Sequence, residues 1–286
     1  MTSPSDTHLV WFITGTSQGF GRELVRAALE RGDSVIATSR NPRAVSAAFL
    51  KSAAAADHLL AVPMDLRISE QISLAVEQAL ARFGRIDILV NNAGYGLTGA
   101  VEEVSDMEIA DIYATNVFGL LRVTRAVLPH LRKQHSGHIV NLSSIGGLTG
   151  MPGWGIYNST KFAVEGLSEA LAAELAPLGI GVTVVEPGPF RTEFLGGSLV
   201  KAANTLPDYE ATAGKTRANA AERDGKQQGD PALAADVIVQ AVTSPHPPLH
   251  LLLGKFAYDR FDQKLDAWRD EMEAWRERSL GTDFKS

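Results

Sequence analysis

The feature that most constrains the fold of this chain is a regular alternation of short apolar runs with longer segments of helical periodicity. Seven runs rich in Val, Ile and Leu cover residues 9–13, 34–39, 59–62, 86–90, 138–142, 182–185 and 249–252. Helical patterns lie between them and include residues 70–83, 109–134 and 156–175. Alternation of this kind is typical of βαβ units, in which helices cover both faces of a parallel sheet. We therefore predict an α/β fold with a seven-stranded parallel sheet.

Such a sheet is a Rossmann-like, doubly wound fold, and its ligands bind beyond the carboxyl ends of the strands. The chain has 286 residues, 45% of them apolar, which suits one large α/β domain covering residues 1–286. Residues 196–230 are small, polar and weakly patterned. We interpret residues 190–230 as a substrate lid within this domain, and residues 256–280 as a C-terminal helical extension.

Charge and cysteine content exclude several classes of function. A net charge of −6 leaves no basic surface for nucleic acid or for anionic lipid. The absence of cysteine excludes disulfides, thiolate metal sites and a cysteine nucleophile. The polar N-terminal residues do not form a signal peptide, and no apolar run reaches transmembrane length. We expect a cytoplasmic protein that binds neither nucleic acid nor membrane.

A glycine-rich turn follows the first predicted strand. Residues 14–21 read Thr-Gly-Thr-Ser-Gln-Gly-Phe-Gly and open a helix, so that backbone N–H groups and the helix dipole face any bound phosphate. The spacing differs from the usual G-x-G-x-x-G pattern. A single glycine-rich turn after a strand often has no role in binding phosphate. Residues 91–94, Asn-Asn-Ala-Gly, follow the fourth strand, where a doubly wound sheet exposes its loops to a ligand, but taken alone this motif favours a simple strand-ending turn.

Tyr157 and Lys161 are four residues apart at the start of a predicted helix, so they share one face. We expect the ammonium group to lower the pKa of the phenol, which would make it a general acid or base. A solvated pair of helix residues is the alternative. Ser144, at the end of the fifth strand, is placed to hydrogen-bond a carbonyl oxygen. Ser143 competes for this role, because neighbouring strand residues point to opposite faces.

Taken together, these motifs resemble the short-chain dehydrogenase/reductase family over roughly residues 8–195. The resemblance implies that Tyr157 donates a proton in reduction, that Lys161 tunes it and holds the ribose, and that Ser144 orients the substrate oxygen. Asn116 would complete a water-linked proton relay. It also implies a cofactor site at Gly15, Ser17, Gln18, Gly19, Phe20, Gly21, Ser39, Arg40, Asp65, Leu66, Asn92, Ala93, Gly94, Tyr157, Lys161, Pro187, Gly188, Phe190 and Thr192.

The second strand ends in Thr38-Ser39-Arg40, where a site for NAD usually carries an acidic residue. A guanidinium group binds a 2′-phosphate that a carboxylate would repel. The sequence therefore favours NADP(H) over NAD(H). Arg22 is an alternative ligand for the 2′-phosphate. Arg40 could also be an ordinary solvent-exposed arginine at a strand end, with no role in cofactor binding.

We interpret the chain as a carbonyl reductase or alcohol dehydrogenase that acts on a moderately apolar small molecule, as a homodimer or homotetramer. The alternative is a regulatory protein that binds NADP(H) without turnover. Apolar walls for a substrate are expected from residues near the motif loops, namely Tyr95, Leu148, Met151, Trp154, Phe190, Phe194 and Leu195.

Two further features are assigned structural explanations. An apolar stripe marks the C-terminal helix, and we favour packing within the chain over contact with a partner. It consists of Phe261, Leu265, Trp268, Met272 and Trp275. His246 and His250 lie in a Pro-rich segment without a carboxylate nearby in sequence, so we predict a loop that enters the last strand and no metal site.

Overall fold

A computed structural model describes residues 8–49 and 53–284. Its main sheet has seven strands, all parallel, in the order β3-β2-β1-β4-β6-β7-β9. These strands are β1 (Val10–Thr14), β2 (Ser34–Ser39), β3 (Leu59–Pro63), β4 (Ile88–Asn91), β6 (Gly137–Leu142), β7 (Ile180–Pro187) and β9 (His250–Leu253). The predicted doubly wound, seven-stranded parallel sheet is confirmed.

The α-helices are α1 (Gly19–Glu30), α2 (Pro42–Phe49), α3 (Ala53–His58), α4 (Ser69–Phe83), α5 (Asp106–Tyr113), α6 (Leu120–Gln134), α7 (Ile145–Leu148), α8 (Gly155–Leu175), α9 (Lys215–Arg223), α10 (Pro231–Val242) and α11 (Lys255–Leu280). Within these residues, no helix is long and apolar enough to span a bilayer.

Alternating side chains of the central strands build an apolar layer on each face of the sheet. On β1, Trp11 and Ile13 pack with α1 and α10, whereas Val10 and Phe12 pack with α4 and α6. The strand order reverses between β1 and β4, which makes the carboxyl ends of these two strands the switch point of the sheet. A ligand crevice is therefore expected there.

The long helix predicted over residues 109–134 is interrupted. It starts at Asp106, where Ser105 and Glu108 form a capping box, and a π-helical turn over Ala114–Gly119 separates α5 from α6. The side chain of Arg122 donates to the Ala114 carbonyl at 3.4 Å, which satisfies an acceptor near the irregular turn.

Residues 190–230 are folded over the crevice and include strand β8 (Leu199–Lys201) and α9. Strand β8 pairs with β5 (Gly96–Thr98), and neither short strand was predicted. Glu103, whose side chain is fully buried, pairs with Arg217 and accepts from the backbone N–H of Leu206. The segment is thus anchored to the domain by ionic contacts, although its composition is polar.

The C-terminal helix α11 forms as predicted, but its apolar stripe is not packed within the chain. Trp268, Met272 and Trp275 each expose more than half of their surface, and Leu265 is also exposed. The prediction of packing within the chain is therefore wrong for this half of the helix. Sequence periodicity identifies an apolar face but not what covers it.

Candidate active site

A cavity of about 750 Å³ opens at the carboxyl ends of the parallel strands. Its walls come from the glycine-rich turn, the ends of β2, β4, β6 and β7, the start of α8, and the 190–230 segment. The fold thus brings the separate sequence motifs to one place. This position follows from the parallel topology, which directs every strand toward the same edge.

The glycine-rich turn is held against the loop after β4. The side-chain amide of Asn92 donates to the carbonyl oxygens of Thr14 and Gly15 at 2.8 and 3.0 Å. A Cβ at Gly21 would lie 2.3 Å from the Gly15 oxygen, so helix α1 can approach this closely only without a side chain. Gly15 has φ +70°, which a glycine adopts without strain. Asn92 and Gly21 therefore shape the turn.

The first turn of α1 carries no acidic residue and no side-chain cap, so its backbone N–H groups remain available to an anion. Gln18, at the N-cap, donates from its side chain to the Ser198 hydroxyl at 2.8 Å. This contact joins the glycine-rich turn to the 190–230 segment. The turn has the shape and polarity that a pyrophosphate requires.

The ends of β2 and β3 form a second polar corner of the cavity. The Ser39 hydroxyl is buried and has no hydrogen-bond partner among the described residues, and the exposed Arg40 lies beside it. Asp65 pairs with Arg67 at 2.7 Å, and this ion pair lowers the pKa of Asp65, with a smaller contribution from Arg40. Arg22 is exposed and does not line the cavity.

Ser144, Tyr157 and Lys161 meet at the centre of the cavity wall. Ser144 caps α7 and lies close enough to Tyr157 to lower the pKa of the phenol, whereas Ser143 is turned toward α8 and donates to the Lys161 carbonyl at 3.5 Å. Lys161 donates from Nζ to the Leu142 carbonyl at 2.7 Å, with Nζ 5.9 Å from the centre of the Tyr157 ring. Of the two competing serines, Ser144 is the one that influences the Tyr157 phenol.

The pKa of the phenol differs from the sequence expectation. Burial raises the pKa of Tyr157 to about 12, and the hydrogen bond with Ser144 offsets only part of this shift. Burial also lowers the pKa of Lys161 to about 8, although Glu165 opposes the change. The predicted lowering of the Tyr157 pKa by Lys161 is not seen, because desolvation of the phenol is the dominant influence on it. Tyr157 is consequently a protonated phenol at neutral pH.

Asn116 lies in the π-helical turn, buried behind the cavity wall. Its side chain accepts from the Tyr95 N–H at 3.1 Å and donates to the Tyr95 carbonyl at 3.0 Å. It also donates to the Thr160 hydroxyl, one residue from Lys161. These contacts fix the loop after β4 against α8, and a role in a proton relay remains a prediction.

Two aromatic side chains pack against the Tyr157 ring in the cavity wall. The Trp154 and Phe194 rings stack with their centres 6.1 Å apart, and each ring also lies within 5.6 Å of the Tyr157 ring. Leu148 does not line the cavity, contrary to prediction, because it belongs to α7 on the side facing α11. The other six apolar residues predicted for the walls do line it.

Sequence analysis missed several lining residues from the 190–230 segment. The most informative is Gln227, which is 5% exposed and whose side-chain oxygen and nitrogen both lack a partner within the described chain. Asn219 and Arg223 also reach the cavity. Nothing in the sequence distinguishes these residues from an ordinary polar loop. Of the predicted site residues, all but Gly21 and Asn116 line the cavity.

No carboxylate is near His250 in sequence, but the fold places two beside it. His250 begins β9, and its Nδ1 lies 2.8 Å from Oε1 of Glu186 on the neighbouring strand β7. Glu165 on α8 faces the same nitrogen at 4.0 Å. Burial raises the pKa of Glu165 to about 7 and that of Glu186 to about 8. Tertiary packing brings together acidic residues that are 64 and 85 positions away from His250.

The fold and this cavity define a class of protein, the dinucleotide-binding oxidoreductases with a serine, tyrosine and lysine centre. The family model of the short chain dehydrogenases matches residues 9–201. An oxidoreductase of Botryotinia fuckeliana is 38% identical over 96% of this chain and 98% of its own length. The crystal structure of a short-chain dehydrogenase from Streptomyces avermitilis superposes with a TM-score of 0.90 at 42% identity, covering 97% of this chain and all of that one.

A more distant structure is 3-ketoacyl-(acyl-carrier-protein) reductase from Brucella melitensis, crystallised with NADH. It is 27% identical, with a TM-score of 0.70, and the match covers 86% of this chain and 96% of that one. The present chain belongs to the short-chain dehydrogenase/reductase family and is an oxidoreductase that uses a nicotinamide cofactor.

Proposed function

We propose that this protein transfers hydride between NADP(H) and a carbonyl or alcohol group of a moderately apolar small molecule. The observation that carries the proposal is that Ser144 and a protonated, buried Tyr157 line the same cavity as the glycine-rich turn, with Ser144 near enough to influence the pKa of the phenol. Two hydroxyl groups next to each other in an apolar pocket suit the recognition of one carbonyl oxygen.

In the direction of reduction, Tyr157 would donate its phenolic proton to the oxygen while Ser144 hydrogen-bonds that same atom. The nicotinamide, when bound, supplies the hydride. Lys161, when protonated, would hold a positive charge behind the phenol, where it stabilises the phenolate that remains after Tyr157 has given up its proton. Asn92 and Gly21 keep the glycine-rich turn in the shape that admits the pyrophosphate.

The preference for NADP(H) is supported by the polar corner at the end of β2. A buried hydroxyl without a partner is costly, and a ligand oxygen at Ser39 would remove that cost. Arg40 offers a guanidinium group in the same wall, where the 2′-phosphate of NADP(H) would be expected. Asp65 is paired with Arg67 and so repels a phosphate less than a free carboxylate would.

A moderately apolar substrate is supported by the walls around Tyr157. Trp154, Phe194 and Met151 offer apolar surface, and the unpartnered amide of Gln227 offers one donor and one acceptor. A pocket of this kind selects a molecule with an apolar body and a few polar groups. The 190–230 segment, which contributes Gln227, would act as the substrate lid.

The decisive test replaces Tyr157 by Phe and measures NADPH consumption with a panel of ketones and aldehydes. We expect turnover to fall by about 100- to 10,000-fold, the range for loss of a general acid, with little change in NADPH affinity. Tyr113→Phe is the matched control, because it removes a phenolic hydroxyl that contacts Ser159 outside the cavity. Parent-like turnover by Tyr157→Phe would contradict the mechanism. NADPH binding without turnover by the parent would instead indicate the regulatory alternative.

A further inference from the structure

A second cluster of chemically reactive side chains lies behind the catalytic centre, outside the cavity. It contains Glu165, one helical turn beyond Lys161, together with Glu186 of β7 and His250 of β9. One ligand atom from each of the three residues lies within 4.8 Å of the others. The proposed reduction uses none of these groups.

The two carboxyl groups are buried with few hydrogen-bond donors around them. The Glu186 side chain is fully buried and that of Glu165 is 7% exposed. Both oxygens of Glu165 and Oε2 of Glu186 accept no hydrogen bond from any described residue. Ser143, the nearby hydroxyl, donates to the Lys161 carbonyl at 3.5 Å, and it also lowers the pKa of Glu165 against the larger effect of burial. Buried carboxylates are normally paired, protonated or bound to a cation, so three unpartnered oxygens indicate a missing partner.

The histidine is oriented as a metal ligand would be. Its Nδ1 faces both carboxylates, at 2.8 Å from Glu186 Oε1 and 4.0 Å from Glu165 Oε2. Ligand atoms that are each about 2.0–2.2 Å from one zinc ion lie roughly 3–4 Å from one another. Shifts of less than about 1 Å would thus accommodate an ion.

The other ring nitrogen completes the arrangement. Nε2 of His250 lies 3.9 Å from Oε1 of the exposed Glu169, on the next turn of α8. Metal-binding histidines usually direct their second nitrogen toward such a carboxylate, which fixes the ring tautomer. The His250 side chain is 39% exposed, so an ion can reach the site from solvent.

We propose that Glu165, Glu186 and His250 form a binding site for one divalent transition-metal ion, with Zn²⁺ the best fit. One imidazole and two carboxylates leave a fourth position for water and suit Zn²⁺ better than Mg²⁺, which prefers a full set of oxygen ligands. The ion would join α8, β7 and β9 behind the catalytic lysine. Its function there is structural, since the substrate cavity does not include these residues.

The test is calorimetric titration of the chelator-treated parent protein with Zn²⁺, together with its thermal unfolding. We expect one ion per chain, an increase in Tm with Zn²⁺ and no comparable response to Mg²⁺. Co²⁺ should bind in its place and show the visible absorption of a four-coordinate ion. His250→Ala should weaken Zn²⁺ binding at least tenfold, and Glu169→Gln by about tenfold, the lower end for loss of an outer carboxylate.

His246→Ala is the matched control, because this histidine lies in the Pro-rich loop just before β9 and outside the cluster. The Zn²⁺ affinity of His246→Ala should stay within twofold of that of the parent. Glu186→Gln keeps the size of the buried side chain and should abolish binding, and circular dichroism would verify its fold. The proposal is overturned if the parent binds no Zn²⁺, or if His250→Ala and His246→Ala bind it equally well.

Discussion

The ion pair between Glu103 and Arg217 allows the anchoring of the proposed lid to be tested quantitatively. Arg217 on α9 donates to both oxygens of Glu103, which also accepts from the backbone N–H groups of Ala100 and Leu206. The Glu103 side chain is 0% exposed and the Arg217 side chain is 14% exposed. Replacement of Arg217 by Met keeps much of the apolar stem but leaves a buried carboxylate without its cation.

Breaking a buried ion pair from one side costs about 3–5 kcal/mol. We expect the lower end, about 3 kcal/mol, because Glu103 keeps two backbone donors and Arg217 is partly exposed. If the 190–230 segment opens as a local unit, a loss of about 3 kcal/mol in its stability makes its open population roughly 150-fold larger in Arg217→Met than in the parent. Amide hydrogen exchange in α9 should therefore accelerate by about two orders of magnitude, while the strands of the main sheet exchange as before.

The matched control is Lys215→Met, which removes an exposed cation from the same helix. The double variant Glu103→Gln with Arg217→Met should regain part of the protection, since no charge then remains buried. Unchanged exchange in Arg217→Met, or an equal effect in Lys215→Met, would refute the assignment of this pair as the anchor.

The ion pair between Glu103 and Arg217 should also make the stability of the fold depend on pH in the acid range. Burial raises the pKa of Glu103, but hydrogen bonds from Arg217 and two backbone N–H groups overcome this effect and lower the pKa to about 2. A depressed folded-state pKa contributes stability that is present above the ordinary value of 4.5 and is lost as the pH falls through about 2. Urea unfolding of the parent should lose more free energy over this range than unfolding of the double variant. Equal losses would contradict the linkage.

The remaining predictions concern the cofactor, the catalytic lysine and the assembly. Arg40→Ala should weaken NADPH binding selectively by about 1–3 kcal/mol, with Arg22→Ala as control, and equal use of NADH by the parent would contradict the preference. Lys161→Ala should reduce both turnover and NADPH affinity. In the parent, kcat/KM for NADPH should decline as the pH rises through about 8, where Lys161 loses its proton, and a flat profile would contradict this. The apolar residues exposed on α11 are consistent with a homodimer or homotetramer, and light scattering that shows a 30.6 kDa monomer would exclude both.

The sequence by itself determined the sheet and the ends of its strands. Strand β2 was predicted with its observed bounds, and β1 and β3 were predicted to within one residue at each end. Parallel strands flanked by helices are buried on both faces, so their apolar runs are continuous and easily recognised. Because all strands point the same way, the motifs at their carboxyl ends had to meet, which placed Ser144 in the same cavity as the glycine-rich turn.

Tertiary structure alone decided whatever depends on desolvation and on contacts between distant segments. A sequence shows that Lys161 is near Tyr157, but only burial reveals that desolvation dominates the pKa of the phenol. The choice between Ser143 and Ser144 depended on the direction of each side chain at the end of β6. His250 appeared isolated in sequence because both buried carboxylates that face it come from other elements. Local periodicity carries no information about such neighbours, since they are defined by how the elements pack.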